Sequence, residues 1–156
     1  LQELHLALED CRWLMDVAGV AAGVSDLREL KACALDLTGT CISDASVVAL
    51  GAALGGLSEL GVCALNIAKT NIRDVTSLGQ SLGQLRNLRA LYLDCRESAE
   101  LTNLRQLWGG LRELQELETV DFKFKDSRLS EEALREVAGD AAALGIAEVQ
   151  IDATRD

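Results

Sequence analysis

One stretch of this chain occurs twice, and that repetition limits what the chain can fold into more than any other feature. Residues 35–44 read LDLTGTCISD and residues 65–74 read LNIAKTNIRD, a match at an offset of 30. The segments that follow also match, but at an offset of 28, since Leu50 recurs as Leu78. Periods of about 20–50 residues indicate an array of similar units. We therefore predict a chain built from repeats.

Short apolar pairs predict one strand in each repeat. Two apolar residues separated by a single residue recur at intervals of 31, 30, 26, 29 and 29 residues. Alternation of this kind is typical of a strand with one buried face. Its recurrence at nearly constant intervals predicts six short parallel strands. The pairs are Leu4/Leu6, Leu35/Leu37, Leu65/Ile67, Leu91/Leu93, Val120/Phe122 and Val149/Ile151.

The segments between the strands carry the pattern of amphipathic helices. Apolar residues recur there at positions i, i+3, i+7 and i+10, which places them on one helix face. Ser43-Asp44, Asp74 and Ser130 are expected to accept N–H groups where helices begin. Five helices are predicted from these apolar stripes: Leu14, Val17, Ala21 and Val24; Val47, Leu50, Leu54 and Leu57; Val75, Leu78, Leu82 and Leu85; Leu104, Leu107, Leu111 and Leu114; Leu134, Val137, Ala141 and Leu144.

Residues 62–72, VCALNIAKTNI, resemble the strand motif of the leucine-rich-repeat family, L-x-x-L-x-L-x-x-N/C-x-L. Every apolar position of the motif is filled, and Thr70, like Thr40 one repeat earlier, stands where the family usually has Asn or Cys. In later repeats Arg96 and Lys125 fall near that position, so we expect its hydrogen-bond ladder to be incomplete there.

The resemblance covers essentially the whole chain, residues 1–156, and has consequences for the fold. It implies an α/β fold of one domain, a leucine-rich-repeat solenoid shaped as a horseshoe arc. Six parallel strands would line the concave side and five helices the convex side. Repeats near 29 residues with full helices are similar to the ribonuclease-inhibitor-like, intracellular subtype. The open edges, Leu4–Leu8 and Val149–Ile151, are then expected to meet neighbouring repeats or other chains, because terminal repeats need covering.

Charge and hydropathy argue against two classes of partner. The chain has a formal net charge of −10 and a pI near 4.6, which opposes attraction to a phosphate backbone. The most apolar stretch, residues 17–24, is less than half of the roughly 20 residues that a membrane span requires. We therefore expect no nucleic-acid partner and no membrane span.

The cysteines indicate the compartment. Cys11, Cys33, Cys41, Cys63 and Cys95 are odd in number, form no C-x-x-C pair and have no histidine at metal-ligand spacing. Reduced thiols in an intracellular compartment, cytoplasmic or organellar, fit this set better than a disulfide framework. We expect neither a metal nor another cofactor. Cys33 and Cys63, which share a repeat position, are interpreted as buried thiols in preference to a redox pair.

The side chains that flank the buried pairs are predicted to form the binding surface. The expected central row is His5, Asp36, Asn66, Tyr92, Asp121 and Gln150. Tyr92 is the predicted anchor, since tyrosine is enriched among residues that dominate binding energy. The carboxylates would favour a basic segment of a protein partner. The predicted binding residues are Asp36, Asn66, Tyr92, Asp94, Asp121 and Lys123. A sheet that is merely solvated is the alternative.

These observations favour a non-enzymatic protein-interaction module. The alternative is a structural or scaffold subunit of a larger assembly, such as one in an organelle, held through its ends or convex helices. A catalytic arrangement of Cys33, His5 and Asp36 is disfavoured, because a nucleophile and its base need an enclosed pocket and these residues belong to an open sheet.

Overall fold

A computed structural model describes residues 1–102, 104 and 106–153 of the 156-residue chain. The fold is α/β, with a single parallel sheet in the order β1-β2-β3-β4-β5-β6. The sheet is open, since β1 pairs with β2 and β6 with β5 at its two ends. The strands are β1 Glu3–Ala7, β2 Ala32–Asp36, β3 Val62–Asn66, β4 Ala90–Asp94, β5 Thr119–Lys123 and β6 Glu148–Asp152; the helices are α1 Ala18–Ser25, α2 Asp44–Gly55, α3 Thr76–Leu82, α4 Leu107–Leu111 and α5 Glu131–Ala143. The six parallel strands and five helices confirm that part of the prediction.

One core lies between the sheet and the helices. Strand residues alternate between buried and partly exposed, as in β2, where Cys33 and Leu35 are buried and Asp36 is not. The buried strand residues join the predicted helix stripes in one apolar cluster. Some stripe residues lie outside the helices and still pack in the core. Leu14 and Leu104 precede α1 and α4, and Leu57, Leu85 and Leu114 follow α2, α3 and α4. The other face of the sheet is turned away from the helices, and we call it the open face.

The register between β1 and β2 and that between β3 and β4 each differ from the prediction by two residues, whereas β2 and β3 pair as predicted. Leu4 lies beside Cys33, and Cys33 beside Cys63, so equivalent residues recur at intervals of 29, 30, 28, 29 and 29. The prediction placed Leu37 and Ile67 within strands because they continue the apolar alternation. Both are buried, but they follow the last residues of β2 and β3. Since side chains alternate with a period of two, this shift keeps each side chain on its predicted face and changes its cross-strand neighbours.

A left-handed turn follows each of the first five strands at the same repeat position. The equivalent residues Leu4, Cys33, Cys63, Leu91 and Val120 are each followed, six positions later, by a residue with a positive φ between 54° and 69°. In the first four of these turns its N–H donates to a carbonyl one repeat further along, as in Asp10 to Thr38, 2.7 Å, and Glu97 to Lys125, 2.8 Å. The sheet hydrogen bonding therefore continues into the turns. The residues are Asp10, Gly39, Lys69, Glu97 and Asp126.

The next position buries a hydroxyl in four of these turns. Thr70 Oγ1 donates to the Ile67 carbonyl at 2.7 Å, and Ser98 Oγ donates to the same carbonyl at 3.1 Å. The prediction that Arg96 and Lys125 stand near this position was wrong, since the structure places Ser98 and Ser127 there. The corrected register explains the error. The residues at this position are Cys11, Thr40, Thr70, Ser98 and Ser127, of which the last four are buried.

The predicted helix starts are confirmed in part. Ser130 Oγ accepts the N–H of the third residue of α5 at 3.1 Å. Asp74 lies one residue before the α3 cap, and its Oδ1 accepts the Thr76 N–H at 2.8 Å. Ser43 makes no side-chain cap, and Asp44 Oδ1 instead accepts the Arg73 N–H at 2.7 Å, which links two repeats.

Helices α3 and α4 touch through glycine. A Cβ added to Gly110 would fall on the carbonyl oxygen of Gly79, and one added to Gly79 would lie 2.7 Å from the Leu107 Cα. Real Cβ atoms do not come this close to a neighbouring backbone. The two helices can therefore approach to this distance only because Gly79 and Gly110 have no side chain. Gly109, one residue away in α4, has nothing within 4 Å of its added Cβ.

These two neighbouring glycines give a matched test of the close approach. We expect Gly110→Ala to lower the free energy of unfolding by about 1–3 kcal/mol, since α3 and α4 must separate. Gly109→Ala should leave it unchanged or raise it by up to about 1 kcal/mol, because alanine favours the helix. Urea unfolding of both variants measures the difference. Equal effects of the two substitutions would contradict the close helix contact.

Candidate functional site

The open face carries a depression that gathers all six predicted binding residues. Its volume is about 260 Å³. It is floored by β1 to β5, whose outward side chains project at a fixed strand spacing of about 4.8 Å. The residues lining it are His5, Ala34, Leu35, Asp36, Ala64, Leu65, Asn66, Tyr92, Leu93, Asp94, Asp121 and Lys123.

The corrected register divides the predicted central row into two rows. Tyr92 lies between Ala64 and Asp121, and not beside Asn66. His5 lies beside Ala34, so its predicted place next to Asp36 was wrong. The middle row is His5, Ala34, Ala64, Tyr92, Asp121 and Gln150, and the strand-end row is Ala7, Asp36, Asn66, Asp94, Lys123 and Asp152.

Three residues of the strand-end row hold the turns that follow their strands. Oδ1 of Asp36, Asn66 and Asp94 each accepts the backbone N–H two residues later, at 2.9, 3.2 and 3.1 Å. Asn66 Nδ2 also donates to Asp36 Oδ2 at 3.1 Å, which joins β2 to β3. These side chains therefore have a structural role that the prediction missed. The signal was available, since Asp and Asn at the end of a strand commonly bond the backbone two residues on.

Two of the three predicted acidic groups already have basic partners in the chain. The Arg96 guanidinium donates to Asp94 at 2.7 Å and 3.0 Å, and Lys123 Nζ lies 3.7 Å from Asp121 Oδ2. The hydrogen bond to Asp94, followed by its charge, raises the pKa of Arg96. Exposed pairs of this kind contribute little to stability. They do soften the negative potential that the sequence alone suggested for this face.

Tyr92 is the one large apolar side chain of the depression that reaches solvent. It is 39% exposed. The neighbouring middle-row positions on β2 and β3 are Ala34 and Ala64, whose small side chains leave space beside the ring. A side chain of a partner can lie on these alanines and against the ring. The Asp36 carboxylate lies on the alanine side of the ring, and the Asp121 carboxylate lies on its other side, on β5.

The structure does not form the arrangement of Cys33, His5 and Asp36. Cys33 faces the core and is 2% exposed, whereas His5 and Asp36 are on the open face. Burial raises the pKa of Cys33 to about 11 and that of Cys63 to about 12, with a smaller contribution to the latter from the neighbouring Cys33. Both thiols are therefore uncharged near neutral pH, and only the thiolate is a nucleophile.

Within the described ranges, no group of three or more His, Cys, Asp or Glu side chains is arranged to hold a metal ion. No helix in the same part of the chain is long and apolar enough to cross a membrane.

A scan against models of protein families returns no match, and a search of curated proteins returns no significant match. The open face is therefore interpreted from its own geometry.

Burial of the cysteines predicts a two-stage thiol reaction. Cys11 and Cys41 are exposed, and Cys33, Cys63 and Cys95 are buried. With Ellman's reagent near neutral pH we expect two thiols to react rapidly and three only after unfolding, because burial limits both access and ionisation. The Cys11→Ser/Cys41→Ser variant should lose the rapid phase. Rapid labelling of Cys33 in the folded chain would restore the case for a catalytic thiol.

Proposed function

We propose that this chain is a leucine-rich-repeat solenoid that acts as a non-enzymatic protein-interaction module. In this proposal the open face is the concave side and the helices form the convex side. Three features support the family: units of 28 to 30 residues, one strand per unit, and a buried hydroxyl at the position where the family usually has Asn or Cys. Five free thiols support an intracellular setting.

The observation that carries the binding proposal is the position of Tyr92. Its ring is partly exposed near the centre of the sheet, between Ala64 and Asp121 in the middle row, with Ala34 one strand beyond Ala64. A tyrosine that is only partly solvated, with space next to it, offers a large rigid contact at little cost in side-chain entropy. The same ring in a closely packed sheet face would have no room for a partner.

The partner that fits this face is a protein with a basic segment. Asp36 accepts hydrogen bonds from the Asn66 amide and from Thr38, and a carboxylate has further acceptor positions. Asp121 Oδ2 lies 3.7 Å from Lys123 Nζ, and an arginine of a partner can replace this lysine as the group that pairs with the Asp121 carboxylate. The overall charge of −10 would speed the approach of a basic partner.

A second candidate function, a scaffold subunit held through its helices, has one observation in its favour. Helices α1 to α4 contain a single charged residue, Asp44, whereas α5 contains five. Val48 on α2 is 50% exposed. A neutral, weakly apolar helix surface is compatible with a place inside a larger assembly.

Site-specific photo-crosslinking distinguishes the two functions. A photoreactive residue at Tyr92 samples the open face, and one at Val48 samples the helices at similar exposure, 39% against 50%. We expect a protein partner to be captured from Tyr92 and not from Val48. Capture from Val48 alone would favour the scaffold function.

Affinity for the purified, captured partner then tests the named residues. We expect Tyr92→Ala combined with Asp121→Ala to weaken binding by at least about tenfold, or ~1.4 kcal/mol, in calorimetry. Val48→Ala is the matched control and should leave the affinity unchanged. If the double variant stays within about twofold of the native chain, the binding face is elsewhere.

A further inference from the structure

Two positions of the helical segments differ between the repeats. Residues 50–56, 78–84 and 107–113 read LGAALGG, LGQSLGQ and LWGGLRE. The second and sixth positions are glycine in the first two segments, and they are Trp108 and Arg112 in the third. A large residue thus replaces glycine twice, at the second residue of α4 and at its C-cap.

The structure shows what the two positions do in α3 and at its C-cap, where both are glycine. A Cβ added to Gly79 would lie 2.7 Å from the Leu107 Cα of α4, and one added to Gly83 would fall on the Gly110 carbonyl oxygen. Both positions therefore face the next helix. Glycine lets that helix come close, whereas a larger side chain at either position would lie between the two helices.

Trp108 and Arg112 face the next helix in the same way. The Arg112 guanidinium donates to Asp140 Oδ1 of α5 at 2.8 Å. Trp108 is 1% exposed and lines a small cavity together with Glu136 and Val137 of α5. The backbones of α4 and α5 lie farther apart than those of α3 and α4. Two large side chains thus separate a pair of helices that could approach closely if both positions were glycine.

The large side chains continue from α4 into the core beneath it. The ring centroids of Trp108 and Phe122 lie 5.2 Å apart, and those of Phe122 and Phe124 lie 5.9 Å apart. None of the three is more than 1% exposed. One repeat earlier, Leu93 and Cys95 stand at the positions of Phe122 and Phe124. We call Trp108, Phe122 and Phe124 the wedge.

The strands in front of the wedge keep their usual spacing. β5 pairs with β6 over five residues, as β4 does with β5, and paired strands lie about 4.8 Å apart. A sheet whose backing helices separate while its strands do not has to bend, and its open face becomes more concave. The bend is centred on β5, because α4 connects β4 to β5 and α5 connects β5 to β6. In the middle row Tyr92 and Gln150 then tilt towards Asp121, which lies between them.

We propose that the wedge and Arg112 position the binding residues of the open face from the helix side. They hold α5 away from α4, bend the sheet at β5 and so set how closely the side-chain ends of Tyr92 and Asp121 approach each other. The bend follows from the packing, whereas its effect on binding rests on the proposed function. Trp108 is a positioning residue that contacts no partner, since it is 1% exposed and lies on the helix side of the sheet.

Spin labels at equivalent helix positions measure the separation. Gln80, Gly109 and Gly139 are exposed and occupy the same position on α3, α4 and α5. Each neighbouring pair is labelled through cysteines in a Cys11→Ser/Cys41→Ser background. By electron paramagnetic resonance we expect the α4–α5 pair to be at least about 2 Å farther apart than the α3–α4 pair, because the axes of packed helices lie about 8–10 Å apart according to the side chains between them. Equal distances overturn the wedge, and this comparison needs no change in the core.

Variants of the wedge test its cause. Trp108→Gly/Phe122→Leu/Phe124→Ile carries the residues that stand at the equivalent positions two repeats earlier, and it should reduce the α4–α5 label distance to that of α3–α4. Trp108→Phe keeps a large ring and removes an indole N–H that has no hydrogen-bond partner among the described residues, so neither distance should change. Trp108→Leu, a smaller change in case the triple variant does not fold, should shorten the α4–α5 distance in part. An unchanged distance in Trp108→Leu overturns the wedge.

Affinity for the protein captured at Tyr92 tests the positioning role. Trp108→Leu should weaken binding by at least about threefold in calorimetry, and Trp108→Phe should bind as the native chain does. Val24→Ala, a buried change in α1, is the control for lost stability and should leave the affinity unchanged. A shortened α4–α5 distance with native affinity overturns the positioning role. Failure to capture any protein at Tyr92 instead contradicts the proposed function, and the label distances still decide whether the wedge separates the helices.

Discussion

The structure depends on a ladder of backbone hydrogen bonds that does not stop at the strand ends. Each strand is only five residues long, which is short for a strand that has to fix the position of a whole repeat. The bonds continue through the left-handed residues of the first four turns, as Gly39 to Ala68 and Lys69 to Arg96 show. Successive repeats are therefore held at one spacing, and each helix is brought against its neighbour. The glycine contact between α3 and α4 is a consequence of that spacing.

The same ladder determines the chemistry of the open face. Side chains on equivalent strand positions form straight rows, so a single substitution changes one point in a regular surface and leaves the rest in place. Tyr92 stands out because its row otherwise carries alanine, aspartate, histidine and glutamine. In the strand-end row, by contrast, three side chains are engaged by the turns. The strand-end row thus supports the backbone, whereas Tyr92, on which the binding proposal rests, stands in the middle row.

The sequence predicts the number of strands, the helix stripes and the face on which each strand residue lies, because each depends on a period of two or 3.6 residues. It does not predict the register, since a shift of two residues leaves that pattern unchanged. Leu37 and Ile67 extend the alternation beyond β2 and β3, and only the ladder reveals where the strands end. The hydroxyl position in the later repeats and the cross-strand neighbours of Tyr92 depend on that register.

Asp36 shows why stability and binding have to be separated on this face. Its Oδ1 accepts both the N–H and the hydroxyl of Thr38, at 2.9 and 2.7 Å, and its Oδ2 accepts the Asn66 amide at 3.1 Å. Removing this carboxylate leaves partly buried donors without their acceptor, which destabilises the turn after β2. Binding would then weaken because the backbone has changed, even if the carboxylate never contacts the partner. Tyr92 is partly exposed and Asp121 faces the side chain of Lys123. A loss of affinity on changing those two residues therefore reports on the surface itself, whereas the same loss at Asp36 would report on the fold as well.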